Sequence, residues 1–280
     1  MRSLSDRVTR LGAAVYYDGL RTLRVPAVSR WLHDAGVILC YHNVVVNDED
    51  AIGTRGLHIA RDRFERQMRW LADHYDVVSL SEFGTRISDG AHLRKTAAVT
   101  FDDAYAGVFE HAVPLLRGLG LPATIFVVAD APSQPIGFWW DRPEAGERAA
   151  SPSHLPADWD TIRAGIGGGI EVGVHSAMHA SLPTLSGAAL DHEIVASRIL
   201  LHRATGIWAE SFAYPYGDWD PRVRAAVRAA GYRLAVTTDA GLNDARTDPW
   251  SMRRINVPAG IGDAAFEAWT AGMRGHGSLR

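Results

Sequence analysis

Cysteine is nearly absent from this chain, and so is lysine. The one cysteine, Cys40, lies in an apolar, strand-like run. A single thiol excludes a disulfide framework and any cysteine-based zinc site, and Cys40 reads as a small buried apolar residue. Lys95 is the only lysine among 29 basic residues, a bias we ascribe to genome composition. No apolar run reaches the roughly 20 residues that a membrane-spanning helix needs. The amino terminus has neither an apolar signal core nor a small-residue cleavage site. These absences predict a cytoplasmic protein. A net charge of −3 over 280 residues gives no reason to expect nucleic acid. Apolar residues are plentiful instead, at 47% of the chain, enough for a core in one large α/β domain or two small ones.

Residues 4–33 carry a helical pattern, with Leu4, Val8, Leu11 and Val15 spaced four and three apart. Counting Arg2 just ahead of it, six arginines face two aspartates, and Pro26 is expected to break the segment in two. It reads as an extra helix pair packed on the domain or, alternatively, as a basic helix resting on an anionic membrane surface. Apolar runs and amphipathic stretches then alternate. Strands are predicted at Gly36–Val46, Val77–Leu80, Thr96–Phe101, Pro122–Ala129, Ile170–Val174, Glu210–Tyr214, Tyr232–Thr237 and Ser251–Val257. Helices are expected at 61–75, from Ser81, at 105–119, 187–204, 221–230 and 262–273. Residues 130–169, rich in Pro, Gly and Ser around Trp139-Trp140-Asp141, read as a long insertion near the site. About seven βα units predict an α/β fold, a distorted (β/α)7-type barrel with extra N-terminal helices. The expected division is 1–35 for the amphipathic helices and 36–275 for one catalytic domain.

The sharp polar groups, His42, Asp102-Asp103, His175 and Tyr216, all fall at carboxyl ends of predicted strands, the face where such barrels place their sites. Two adjacent carboxylates repel unless a cation or a proton divides their roles. His175 and His179, four apart, can reach one cation. With Asp103 they offer two nitrogens and one oxygen, the ligand count of a catalytic zinc with an open position, though other divalent ions would fit.

Thr-Phe-Asp-Asp (100–103), His-Ser-Ala-Met-His (175–179) and Phe-Ala-Tyr-Pro-Tyr-Gly (212–217), in this order, resemble the polysaccharide deacetylase family, the NodB-homology domain or carbohydrate esterase family four. The resemblance runs from about Val37 to Val257. It implies a metal-dependent hydrolase of carbon–nitrogen bonds other than peptide bonds, removing acetyl groups from amino sugars of a polysaccharide, oligosaccharide or glycolipid. Asp103, His175 and His179 would hold one divalent ion, zinc by preference. Asp102 would be the base toward metal-bound water, and the Tyr216 backbone N–H would donate to the oxyanion. The cytoplasmic reading suggests an exopolysaccharide or lipopolysaccharide intermediate as substrate, with the N-terminal helices near a membrane.

Two departures stand out. Many members carry an arginine two residues before the motif proline, where this chain has Ala213; Arg254 is the expected replacement, and Asp239 loosely matches an acid that braces such an arginine. The carboxy-terminal Leu-x-His type motif is missing too, since His276 lies in a Gly-rich tail. Tyr41-His42 resembles the N-terminal Tyr-His pair of exopolysaccharide deacetylases, which makes His42 the expected general acid. Trp139, Trp140, Asp141 and Trp219 are expected to contact substrate, the indoles by stacking on sugar faces. The competing readings are another C–N hydrolase on this fold, allantoinase-like or cyclic imidase-like, and an inactive glycan-binding relative.

Overall fold

A computed structural model describes residues 4–50, 54–134, 136–141 and 151–273. Its strands are β1 (Val37–Tyr41), β2 (Asn43–Val45), β3 (His58–Ala60), β4 (Asp76–Val77) and β5 (Thr96–Phe101), followed by β6 (Ala123–Val127), β7 (Ile170–Val174), β8 (Ser211–Ala213), β9 (Leu234–Val236) and β10 (Ile255–Asn256). Eight of them form one parallel, curled sheet in the order β10-β1-β5-β6-β7-β8-β9, with β4 on the opening residues of β5. Val236 bridges Met252 in parallel, and Ile255, three residues on, pairs with Leu39 of β1. One segment therefore links the two ends of the sheet, giving the distorted barrel that the alternating pattern predicts. Strands covered on both faces read as unbroken apolar runs, and β1, β5 and β6 are buried along their whole length.

The helices are α1 (Leu4–Thr22), α2 (Val25–Leu32), α3 (Arg61–His74), α4 (Leu80–Ser88), α5 (Val113–Leu119), α6 (Trp159–Gly165), α7 (Gly187–Asp191), α8 (Ser197–Thr205), α9 (Pro221–Ala229) and α10 (Asp263–Thr270). Local chemistry sets their ends. Ser79 caps α4 by accepting from the Glu82 N–H at 3.2 Å, which is why the expected strand at Val77–Leu80 stops after Val77. Asp220 caps α9 just ahead of Pro221, a residue suited to the first helical turn. Gly120, at φ 67°, closes α5. A π-turn, Val108–Ala112, leads into α5; Pro114 behind it lacks the N–H that a regular α-helix would need there. A second π-turn, His192–Ala196, separates α7 from α8.

Two expectations about the amino-terminal third are corrected. The break between α1 and α2 falls at Arg24, at φ 56°, and Pro26 sits harmlessly in the first turn of α2. The single strand expected at Gly36–Val46 divides at His42, because β1 stays paired with β5 while β2 leaves to pair with β3. His42 thereby stands at a kink on the barrel rim. Helix α1 lies on α10, where buried Tyr17 accepts a hydrogen bond from Trp269 Nε1 at 2.8 Å and Arg21 meets Glu267 at 3.1 Å.

Candidate active site

The site begins where β5 ends. Asp102 and Asp103 follow Phe101 directly, and Asp103 turns the chain at φ 71°. His175 follows β7, and the loop behind it places Ser176 at φ 61° and His179 at φ 60°; Tyr216, after β8, is at φ 60°. Such backbone costs about 1–3 kcal/mol per residue and persists only where neighbours enforce it. The enforcing contacts are visible. Ser176 Oγ accepts from the His179 N–H at 2.9 Å, and the buried Glu193 Oε2 accepts from the N–H groups of Ala177 and Met178 at 3.0 Å each. Behind Tyr216, a Cβ on Gly217 would stand 2.6 Å from the Thr238 nitrogen, so only glycine fits there.

The structure brings Asp103, His175 and His179 together. Asp103 Oδ1 lies 3.7 Å from Nε2 of each histidine. That is too long for a hydrogen bond, yet near the roughly 3.4 Å edge of a tetrahedron drawn with zinc-like bond lengths of about 2.1 Å. Asp103 Oδ1 is buried without a hydrogen-bond partner among the described residues. His175 Nδ1 donates to the Ala213 carbonyl at 2.9 Å, which leaves its Nε2 lone pair facing Asp103. Burial lowers both imidazoles, His179 to about 3 with His175 adding to the shift, so both are neutral at pH 7, as ligands must be. Burial, with Asp102 and Asp141 nearby, pushes the Asp103 carboxyl up. This donor set fits a divalent metal ion, and oxygen with two imidazoles suits zinc among others.

Asp102 has a cation of its own. Arg254 Nη1 and Nη2 each donate to one Asp102 oxygen at 2.7 Å, and both side chains are buried. Burial alone would raise the Asp102 carboxyl; the guanidinium, helped by His175, outweighs it and holds the group below the usual carboxylate range. The Arg254 Nε donates to the Thr237 carbonyl at 2.8 Å, and Asp239 meets Arg254 only through its backbone carbonyl. His42 is half-buried, with a ring nitrogen within 4.8 Å of an Asp102 oxygen and of Cys40 Sγ. Burial lowers its pKa to about 4 against the pull of Asp102. The Tyr216 N–H donates to no acceptor among the described residues, and the half-exposed ring packs edge-on to His179 at 4.5 Å.

The insertion forms one wall. Trp140 packs against the His179 ring at 4.6 Å, and exposed Trp139 stands edge-on to Trp140 at 5.5 Å. Asp141 is buried: it accepts from Tyr105 Oη and, at 3.1 Å, from His58 Nε2, while Tyr105 accepts from Trp140 Nε1 at 2.8 Å. These bonds tie Asp141 to Trp140 through Tyr105. Trp219 lies along Tyr214, 6.3 Å between rings, with the Arg224 guanidinium 6.0 Å away. His276 falls outside the described residues. Sequence reasoning missed Glu193 and Tyr105. An acid on the apolar stripe of Leu190, Ile194, Ser197 and Leu201 was the available signal for Glu193.

The chain is similar to known proteins. Over 239 residues, 85% of this chain and 76% of its own length, Bacillus subtilis YxkH, named for the polysaccharide deacetylases, is 24% identical. The poly-beta-1,6-N-acetyl-D-glucosamine N-deacetylase of Staphylococcus aureus is 30% identical over 71 residues, a quarter of either chain. The Streptococcus pyogenes deacetylase PplD, solved with acetate, shares the fold at a TM-score of 0.70 and 22% identity, over 86% of this chain and 99% of that one. The family model for polysaccharide deacetylases matches residues 89–235. With more than half of its length accounted for by that model, the chain belongs to the polysaccharide deacetylase family, hydrolases of carbon–nitrogen bonds other than peptide bonds.

Proposed function

We propose that the protein is a metal-dependent N-deacetylase that hydrolyses the acetamide of an amino-sugar residue in a polysaccharide, oligosaccharide or glycolipid. One observation carries this reading: the unpartnered Asp103 Oδ1 converges with two neutral Nε2 atoms beside an Asp102 kept ionised by Arg254. The S. aureus relative, named for an N-acetylglucosamine polymer, supports the substrate class.

Asp103, His175 and His179 would hold the ion, which supplies Lewis-acid polarisation of the acetamide carbonyl and acidifies water. Asp102 takes the proton of the attacking water; Arg254 fixes the direction of its oxygens. The Tyr216 N–H donates to the carbonyl oxygen as it becomes an oxyanion. His42 hands a proton to the departing amine. With a pKa of about 4 it enters the cycle uncharged at pH 7, so it acquires that proton during turnover, and Asp102, once it has taken the water's proton, has an oxygen within 4.8 Å to supply it. Trp140, Trp139 and Tyr216 offer aromatic faces to the pyranose C–H groups.

Acetate release from a panel of N-acetylated glycans, with and without chelator, tests the proposal. Asp102→Asn should retain metal and lose turnover by about two to four orders of magnitude, the range for a general base. Release of a ring-opened imide in place of acetate would favour the imidase alternative, and normal turnover by Asp102→Asn would overturn the base assignment.

A further inference from the structure

Helix α2 has two faces. Pro26, Ser29 and Arg30 are buried: Ser29 Oγ donates to the Ala271 carbonyl at 3.1 Å, and the Arg30 guanidinium lies 5.0 Å from the Trp70 ring. Val28, Trp31 and Leu32, at the same three-and-four spacing, point the opposite way and are 54%, 63% and 71% exposed. Leu23, in the turn between α1 and α2, adds a fourth apolar side chain at 74%. Large apolar groups this open, adjacent in one patch, call for an occupant.

Cations flank the patch. Arg94 and Lys95 reach over the Trp31 ring at 5.8 and 6.0 Å, and exposed Arg24 stands at the start of α2. The neighbouring acid, Asp34, is occupied: its carboxylate accepts from the Leu93 and Arg94 N–H groups at 2.9 and 3.1 Å and meets the His92 ring at 2.5 Å. A two-fold dimer through this patch would bring each cation against its own copy. A surface of acidic headgroups over hydrocarbon matches both features, since an indole with flanking arginine and lysine suits the lipid–water boundary.

We infer that the exposed face of α2, with Leu23, Arg24, Arg94 and Lys95, docks the protein on a membrane of anionic phospholipid. Lys95 directly precedes β5 and Asp102 directly follows it, so about 20 Å of strand separates the docked end from the site. The site then faces away from the bilayer, toward glycan that stands off the surface. This docking does not depend on the proposed deacetylation.

The test is co-sedimentation of the full chain with vesicles of phosphatidylcholine alone or mixed with phosphatidylglycerol, at low and high salt. Pelleting is expected with the anionic vesicles only, weakening with salt. Trp31→Ser with Leu32→Ser, and separately Arg94→Glu, should each reduce the bound fraction about ten-fold, while acetate release from a soluble substrate and the melting temperature stay at parental levels. Equal binding to both vesicle types, pelleting indifferent to these variants, or absence of pelleting with a dimer that the variants dissociate would each overturn the proposal.

Discussion

Glu193 offers the sharpest test of how the site is held. Its Oε2 accepts two backbone N–H groups at 3.0 Å, from Ala177 and Met178, inside the loop that carries both histidines. Hydrogen bonds to a charged acceptor contribute about 1.5–3 kcal/mol each. The left-handed residues Ser176 and His179 oppose them by about 1–2 kcal/mol apiece. The two sums are comparable, so the carboxylate decides whether the loop keeps its shape. Glu193→Ala should cost about 2–4 kcal/mol of stability. It should also weaken metal binding about 10–100-fold, as loss of outer-shell support does elsewhere. Because one oxygen accepts both bonds, Glu193→Gln keeps the acceptor with a neutral group and should lose far less on both counts. Chelator-competition titration reads the affinity, and urea unfolding the stability. A Glu193→Ala protein that is destabilised but binds metal like the parent would reduce Glu193 to packing and refute the reasoning.

Arg254→Met should destabilise the fold by about 3–5 kcal/mol at pH 7, because an uncompensated buried carboxylate remains. The folded Asp102 carboxyl is depressed, so the pair's contribution is present above the unfolded value of about 4 and fades as pH falls through the folded one. The deficit of the variant, followed by urea melts, should shrink from pH 7 toward pH 3; a constant gap would contradict the assignment. Chelation followed by dialysis should lower the melting temperature and restore it on adding zinc or another divalent ion, by about 2.7 kcal/mol at 100 times the dissociation constant. Insensitivity of both stability and activity would remove the metal. Asp141→Asn should raise KM more than it lowers kcat, since it loosens the Tyr105 link to Trp140; an unchanged KM would detach that network from substrate binding.

Much of this was legible in the residues because period and chemistry coincided. Thr96–Phe101 and Ile170–Val174 are strands over the predicted bounds, since buried parallel strands write themselves as apolar runs and the acids and histidines behind them can only be rim groups. Arg254 was readable only through the family resemblance, which implies an arginine where this chain has Ala213. What stayed hidden depends on irregular backbone. The division at His42 follows from a pairing choice between β5 and β3, which local pattern does not encode. Glu193 reaches the histidine loop from within a π-turn, a register shift that no helical wheel anticipates. Asp141 looked like a sugar ligand beside two tryptophans, yet its carboxylate is committed to Tyr105 and His58.

The origin of Arg254 ties the chemistry to the closure of the fold. An arginine at position 213 would come from within β8, a strand held on both sides. Arg254 comes instead from the seam, two residues after Met252 bridges Val236 and one before Ile255 pairs with Leu39. Backbone hydrogen bonds such as Thr237 N–H to Met252 at 2.9 Å and Val257 N–H to Cys40 at 3.0 Å hold the seam, and the side-chain clasp on Asp102 adds to them, with the Phe126 ring 5.8 Å from the guanidinium. Such a buried ion pair adds little net stability compared with apolar packing, but breaking it from one side is expensive. The side chain that keeps Asp102 ionised also donates through Nε to the Thr237 carbonyl just past β9, so it resists opening of the barrel between β9 and β10. If Asp102 is the base, as proposed, it is available in that role only in the closed molecule, because loosening the seam withdraws its cation.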